Sequence, residues 1–266
     1  MAGPDAAPRV LVTGASSGIG RALALAFARR GARVVISARS EARLAEVAGE
    51  LRAAGAPEVA VVAADLSAPG GGDALAEEIG RRGPAPDGLV NNAGAGIAGP
   101  FVENDPARIA AIVRLNVEAP TLLARRLVPA MVGRGHGFVI NVASTAAFLP
   151  GPGMAVYYAT KAYLLSWSEA LAEELRGTGV TVTALCPGPT RTDFQRRADM
   201  ERLRLMRSRA LAVMDAEQVA RAALAGLDRG RRVVVPGLAN RLGALASRLL
   251  PRALLARIVA HLNRPA

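Results

Sequence analysis

Short apolar, β-branched runs alternate with longer stretches of helical period along most of the chain. "RVLVTG", from Arg9, reads as a strand ending in glycine, and "GIGRALALAFARRGA" then sets Ile19, Leu23, Phe27 and Ala28 on one helical stripe before Gly31 stops it. "RVVISA" is the next strand, residues 41–54 the next helix and "EVAVVAA" the third strand. "DGLVNNAG" follows a charged helical stretch, and "GFVINVAS", "VTVTALCPG" and "RRVVVPG" supply three more strands, each after a long helical segment. Strands joined by helical crossovers predict an α/β fold: one mainly parallel, doubly wound sheet of about seven strands with helices on both faces. No internal repeat or low-complexity linker divides residues 1–266, so a single domain is expected, and the Gly/Pro cluster at 68–72 reads as a surface loop.

Composition narrows the class. The chain has 266 residues, 51% of them hydrophobic but only 3% aromatic, so the core must be built from closely packed small aliphatics. One cysteine, Cys186, excludes an intramolecular disulfide, and two distant histidines, His136 and His261, offer no zinc-ligand spacing. A metal-free, cytoplasmic protein is expected. No apolar run reaches the roughly 18 residues of a membrane span, and "MAGPDAAPRV" lacks the basic start and apolar stretch of a signal peptide. The net charge of +11 comes from arginines spread along the whole length without interleaved aromatics, which argues for solvated helix faces and against a nucleic-acid platform. A ligand carrying several phosphates would be drawn to such a field.

Two stretches concentrate chemistry. "TGASSGIG", residues 13–20, closes the first strand and opens the first helix. Its glycines let the backbone turn tightly and come close to a ligand, and the free N–H groups of the helix start suit a pyrophosphate; a plain tight connection would use the same glycines. "VYYATKAYLLSW", residues 156–167, holds all three tyrosines, the only tryptophan and the only lysine, since every other one of the 33 basic residues is arginine. Residues three and four apart share a helix face, so Tyr157 and Tyr158 both come near Lys161, and helical geometry alone does not choose between them. A compact ammonium with three rotatable donors is not exchangeable with a planar guanidinium, so the solitary lysine argues for chemistry over a solvated helix charge.

Four motifs in order carry a family resemblance. "TGASSGIG" is similar to T-G-x-x-x-G-x-G, "NNAG" at 91–94 to N-N-A-G, "YYATK" at 157–161 to Y-x-x-x-K and "PGPTRT" at 187–192 to P-G-x-x-x-T, so the stretch from Arg9 to about Val235 resembles the compact short-chain dehydrogenase/reductases. The resemblance implies a Rossmann-type domain and an oxidoreductase that interconverts a carbonyl and a secondary alcohol by hydride transfer. It selects Tyr157 over Tyr158 as the acid/base, gives Lys161 the double duty of touching phenol and ribose, and makes Ser144 in "NVAST" the partner of the substrate oxygen. It also gives Asn116 in "RLNVEAP" a supporting part in a water relay to the lysine. A phenol of ordinary pKa near ~10 ionises at neutral pH only beside a cation, which is what Lys161 is expected to provide.

For the cofactor, the resemblance puts Gly14, Ser16, Ser17, Gly18, Ile19 and Gly20 around the pyrophosphate. Asp65 and Leu66 fall at the adenine, Asn92, Ala93 and Gly94 along the ribose, and Pro187, Gly188, Thr190 and Thr192 at the nicotinamide. An NAD-preferring fold carries an acid about twenty residues past the glycines. Here "ISARS" presents Ala38 and Arg39. Preference for NADP (NADPH) over NAD is therefore expected, with Arg39 forking onto a 2′-phosphate, helped by Ser16 and Ser40.

Residues 190–230 are expected to cover the substrate, with Met200, Leu203, Met206 and Ala210 on one side of a helical stretch, favouring an apolar carbonyl or alcohol. The tail, residues 239–266, is amphipathic, basic and interrupted by Pro251. It suits a subunit contact, a pocket wall or a membrane-surface anchor; the family's habit of forming homodimers or homotetramers favours the first. An idle NADP-binding sensor is the rival reading, opposed by the presence of Ser144, Tyr157 and Lys161 together.

Overall fold

The computed structural model describes residues 7–200, 203–204 and 213–264. Its strands and helices alternate as the pattern predicts. In order they are β1 (Arg9–Thr13), α1 (Gly18–Ala28), β2 (Arg33–Ala38), α2 (Glu41–Ala53), β3 (Val59–Ala63), α3 (Gly71–Arg81) and β4 (Gly88–Asn91). There follow α4 (Pro106–Val113), a π-helical turn (Arg114–Glu118), α5 (Ala119–Arg134), β5 (Gly137–Val142), α6 (Ala155–Glu174) and β6 (Val180–Leu185). The last part holds β7 (Thr190–Arg191), α7 (Phe194–Arg197), β8 (Met214–Asp215), α8 (Ala216–Leu227), β9 (Val233–Val234), α9 (Leu238–Leu249) and α10 (Arg252–Leu262).

Seven strands form one parallel sheet in the order β3-β2-β1-β4-β5-β6-β9. Strands covered on both faces need continuous apolar runs, and β1 is buried at all five positions. On one face α1, α2 and α8 close over Val10, Val12, Val34 and Ile36. On the other, α3, α5 and the far end of α6 close over Leu11, Val35, Leu89 and Val139. Gly88 is glycine because the Phe138 ring lies where its Cβ would stand, and that ring stacks on Phe27 of α1 at 5.4 Å. Winding reverses between β1 and β4, which opens a crevice at the carboxyl ends of these strands, where open α/β sheets hold their ligands.

The segment expected to cover the substrate divides. Residues 190–191 and 214–215 pair as a small parallel ladder that the hydrophobic pattern did not reveal. Between them, α7 and the buried Met200 and Leu203 cover the crevice, whereas Met206 and Ala210 lie outside the described residues. After the ladder, α8 leaves the crevice: an Asp215/Gln218 capping box starts it, and Val219, Ala220 and Ala223 pack it against the α1 side of the core. The tail forms two helices, with Pro251 at the N-cap of the second.

Candidate active site

Two strand ends tie the base of the crevice together. The Thr13 hydroxyl accepts from the Asn92 and Ala93 amides, each at 3.1 Å, and Asn92 Nδ2 donates to the carbonyls of Thr13 (2.9 Å) and Gly14 (3.1 Å). Gly14 takes φ 64°, and a Cβ there would fall 2.8 Å from Ala93 Cα, so only glycine closes this joint. Gly20 does not line the crevice; it seats the helix start against Asn92 and the Gly14 carbonyl. Ser17 is the N-cap of α1 but makes no side-chain cap, and its hydroxyl instead accepts from Arg197 Nη2 of α7 at 3.3 Å. The first amides of α1 are thereby left for a ligand.

At the end of β2, Ser37, Ala38, Arg39, Ser40 and Arg43 line the same crevice. Ser40 caps α2 through the Arg43 amide, which fixes the turn carrying both arginines. Ser37 Oγ is buried without a hydrogen-bond partner among the described residues. Across from them, Ser67 donates to Asp65 from its amide (2.9 Å) and hydroxyl (2.5 Å). Those bonds, with the Arg39 charge adding to them, hold the Asp65 carboxyl below the usual range.

The three side chains expected to do chemistry converge. Tyr157 and Lys161 are 8% and 4% exposed on the inner face of α6, and Lys161 Nζ lies 5.8 Å from the centre of the Tyr157 ring. Lys161 Nζ donates to the Val142 carbonyl at 2.8 Å. Ser144 caps the short 3₁₀ turn after β5, its hydroxyl accepting from the Ala146 amide at 3.1 Å and donating to the Pro187 carbonyl at 3.5 Å, and it lies close enough to the Tyr157 phenol to pull its pKa downward. Tyr158 borders the same cavity but turns its ring over Gly151 and its hydroxyl toward the Asn263 side chain, away from Lys161. Asn116 is fully buried in the π-helical turn and lies just outside the crevice wall. Its Oδ1 accepts from the Ala95 amide (3.0 Å), and its Nδ2 donates to the Ala95 carbonyl (2.8 Å) and to Thr160 Oγ1 (3.0 Å), which accounts for an asparagine inside helix. A Cβ at Gly94 would meet both Asn116 Oδ1 and Lys161 Nζ at 3.4 Å, so glycine there lets the loop after β4 approach the lysine.

Electrostatics depart from the expectation. Burial pushes the Tyr157 phenol up to about 12, against a smaller downward pull from Ser144, and brings Lys161 down to about 8. The desolvation cost of the phenolate dominates, and the ammonium, 5.8 Å from the ring centre, is engaged by the Val142 carbonyl. The phenol is therefore held as an acid at neutral pH.

A cavity of about 840 Å³ contains all the expected site residues except Gly20 and Asn116. Its far end is apolar: Ile112, Phe148, Leu149, Tyr158, Phe194 and Met200 line it, with Phe194 5.4 Å from the Tyr157 ring centre. The tail walls it too, through Ala244 and Ser247 of α9 and Val259 and Leu262 of α10.

A family model described as short chain dehydrogenase matches residues 8–202. The chain belongs to the short-chain dehydrogenase family. Among relatives of this short-chain dehydrogenase, the ketoacyl reductase HetN of Nostoc sp. is 38% identical over 179 residues, covering 67% of this chain and 62% of that one, so the match spans less than two thirds of the relative's length. A short-chain dehydrogenase from Sphingobium yanoikuyae solved in complex with NADPH is 38% identical with a TM-score of 0.79, over 91% of this chain and 93% of that one. One from Burkholderia phymatum in complex with NAD is 28% identical with a TM-score of 0.78, over 91% and 92%.

Within this short-chain dehydrogenase, reading the sequence missed Arg43, Ser37 and Asn240, and it ranked the pocket-wall role of the tail below a subunit contact. Arg43 was accessible to it: Arg39, Ser40 and Arg43 span the first turn of a helix starting at a strand end, which brings two guanidinium groups to one corner. Asn240 was not, since only the folded tail packs its side chain against Gly188, where a Cβ would collide with the amide.

Proposed function

We propose that this short-chain dehydrogenase is an NADPH-dependent reductase of an apolar ketone or aldehyde, with Tyr157 as proton donor. The observation that carries the reading is the meeting of Tyr157, Ser144 and Lys161 at the join between the glycine-rich cradle and the apolar end of one cavity. When bound, the cofactor supplies the hydride. The residues fit such a group: Gly14, Gly18 and Gly94 let Ala93, Thr192 and Lys161 approach closely enough to shape the crevice, the α1 amides are uncapped, and Ser37 Oγ is a buried polar atom without a partner among the described residues, beside Arg39 and Arg43. Those two arginines, with no acid at Ala38, support NADPH over NADH.

In this reading Ser144 Oγ holds the carbonyl oxygen and Tyr157 gives it a proton. A phenol that burial keeps protonated is poised for that direction. Lys161 then limits the cost of the phenolate by supplying charge beside the ring, and Asn116, a positioning residue, fixes the Ala95 backbone and Thr160 next to it. Met200, Phe194 and Val259 exclude water from the transfer. Mixing the protein with NADPH or NADH and a panel of aliphatic and cyclic ketones tests this. NADPH absorbance should fall with apolar ketones and NADH should serve poorly; loss of neither, or faster loss of NADH, overturns the reading.

A further inference from the structure

Helix α9 is folded inside out. Its buried or half-buried positions are Asn240, Ala244 and Ser247, spaced four and three apart on one face. Leu238, Leu242, Leu245 and Leu249 are spaced four, three and four apart on the opposite face and are 72%, 58%, 57% and 79% exposed. At 3.6 residues per turn the leucines fall within an arc of roughly 60°. Helix α10 buries Leu255 and Val259 and leaves Leu254 and Ile258 each 43% exposed. A helix that turns small and polar side chains to the protein and leucines to the outside has its apolar partner elsewhere.

Charge says what that partner is. From Arg229 onward the chain contains no Asp or Glu, and the tail helices and their flanks carry Arg241, Arg248, Arg252, Arg257 and Arg264. Among the described residues none of these five forms an ion pair. Arg241 and Arg248 flank the leucine stripe on one side; Arg241 Nε donates to the Val235 carbonyl at 2.8 Å, while its terminal nitrogens and the whole Arg248 guanidinium make no hydrogen bond among the described residues. A second copy would bring like charges together across a two-fold axis with no acid to relieve them. An acidic lipid surface satisfies both the leucines and the arginines.

We propose that α9, supported by α10, docks this protein on an anionic membrane surface with the leucine stripe in the headgroup and acyl boundary and the arginines on lipid phosphates. The helices lie on the bilayer, since no helix among the described residues is long and apolar enough to cross it. The docking stands on the helix faces alone. A consequence rests on the reductase reading: because the inner face of α9 walls the cavity, the site is held about one helix diameter, roughly 10 Å, from a lipid phase that would dissolve an apolar ketone.

Co-sedimentation of the full chain with vesicles tests it, with phosphatidylcholine alone set against phosphatidylcholine mixed with phosphatidylglycerol. The protein should sediment with the mixed vesicles only, less as salt rises. The double variant Leu242→Glu/Leu245→Glu should abolish sedimentation, and Arg241→Glu/Arg248→Glu should weaken it at least about 25-fold, on the order of fivefold for each of the two arginines lost. NADPH titration of each variant checks that the body is folded and keeps this outcome separate from the reductase reading. Failure of the wild-type chain to sediment with mixed vesicles overturns the proposal, as does undiminished sedimentation of the leucine variant. A wild-type dimer that the leucine variant converts to monomer, with no vesicle binding, assigns the face to a second copy instead.

Discussion

Helices α1 and α9 wall the same cavity and are built in opposite senses. Along α1 the sequence stripe and the buried face coincide: Leu23, Phe27 and Ala28 are in the core, and the helix start, with its glycines, is turned to the crevice. In α9 the stripe faces out and Ser247 is the one buried position. The comparison teaches that an amphipathic period fixes which residues of a helix share a face but not which face meets the protein. Where the sheet supplies an apolar surface, the stripe must turn inward, as in α1. Where a helix rests on a cavity rim already served by small side chains, the stripe is left for another phase.

The largest effect expected at the shared cavity comes from its lysine. Lys161→Arg keeps the charge but cannot place a planar fork between the Val142 carbonyl and the Tyr157 ring, so turnover should fall on the order of 10²–10⁴-fold in a protein whose circular dichroism is unchanged. Near-normal turnover would remove the chemical argument for the lone lysine.

The two helices themselves are compared by truncation. Leu23→Ala, at a fully buried position of α1, should cost about 2–5 kcal/mol in denaturant unfolding, and Leu242→Ala, on the outer face of α9, less than about 0.5 kcal/mol. Similar losses at both would mean that α9 packs on something within the chain.

Next is the phosphate corner. Removing a charged hydrogen bond is worth about 1.5–3 kcal/mol, so Arg39→Ala should weaken NADPH roughly 10- to 150-fold by fluorescence titration and leave NADH unaffected. With Arg43 at the same corner, the lower end of that range is expected, and the double variant should approach the upper end.

The smallest effect per unit change is a pH slope. Lys161 titrates near 8 in the fold, below its ordinary value of 10.5. Between these values the unfolded chain holds a proton that the folded chain has lost, so this group adds stability as pH rises through the window and opposes folding below it. Relative to Lys161→Met, wild-type unfolding free energy should rise by up to about 1.4 kcal/mol per pH unit from pH 8 to 10.5. A flat difference would mean that the ammonium is better solvated than its burial implies.

Much of this was legible in the sequence because the parallel sheet writes its pattern locally. β-branched runs and helical stripes gave the seven strands in chain order, and motifs at strand ends marked the crevice, where Ser144, Tyr157 and Lys161 do meet. What stayed hidden was set by long-range packing. Helix spacing left Tyr157 and Tyr158 equivalent until Gly151 and Asn263 claimed the second. The upward shift of the phenol depends on burial, which no spacing reports. The β7–β8 ladder joins two-residue strands too short to carry a period, and the inner face of α9 is made of asparagine, alanine and serine, which no hydrophobic count singles out.

The central claim is that Tyr157 protonates a carbonyl held in the crevice beside the proposed nicotinamide site. Single-turnover mixing of NADPH-loaded protein with an apolar ketone, for wild type, Tyr157→Phe and Tyr158→Phe, tests it most directly. Wild type and Tyr158→Phe should consume NADPH at comparable rates, while Tyr157→Phe binds NADPH equally well and consumes it on the order of 10²–10⁴-fold more slowly. Undiminished consumption by Tyr157→Phe, or the loss appearing in Tyr158→Phe instead, would contradict the account.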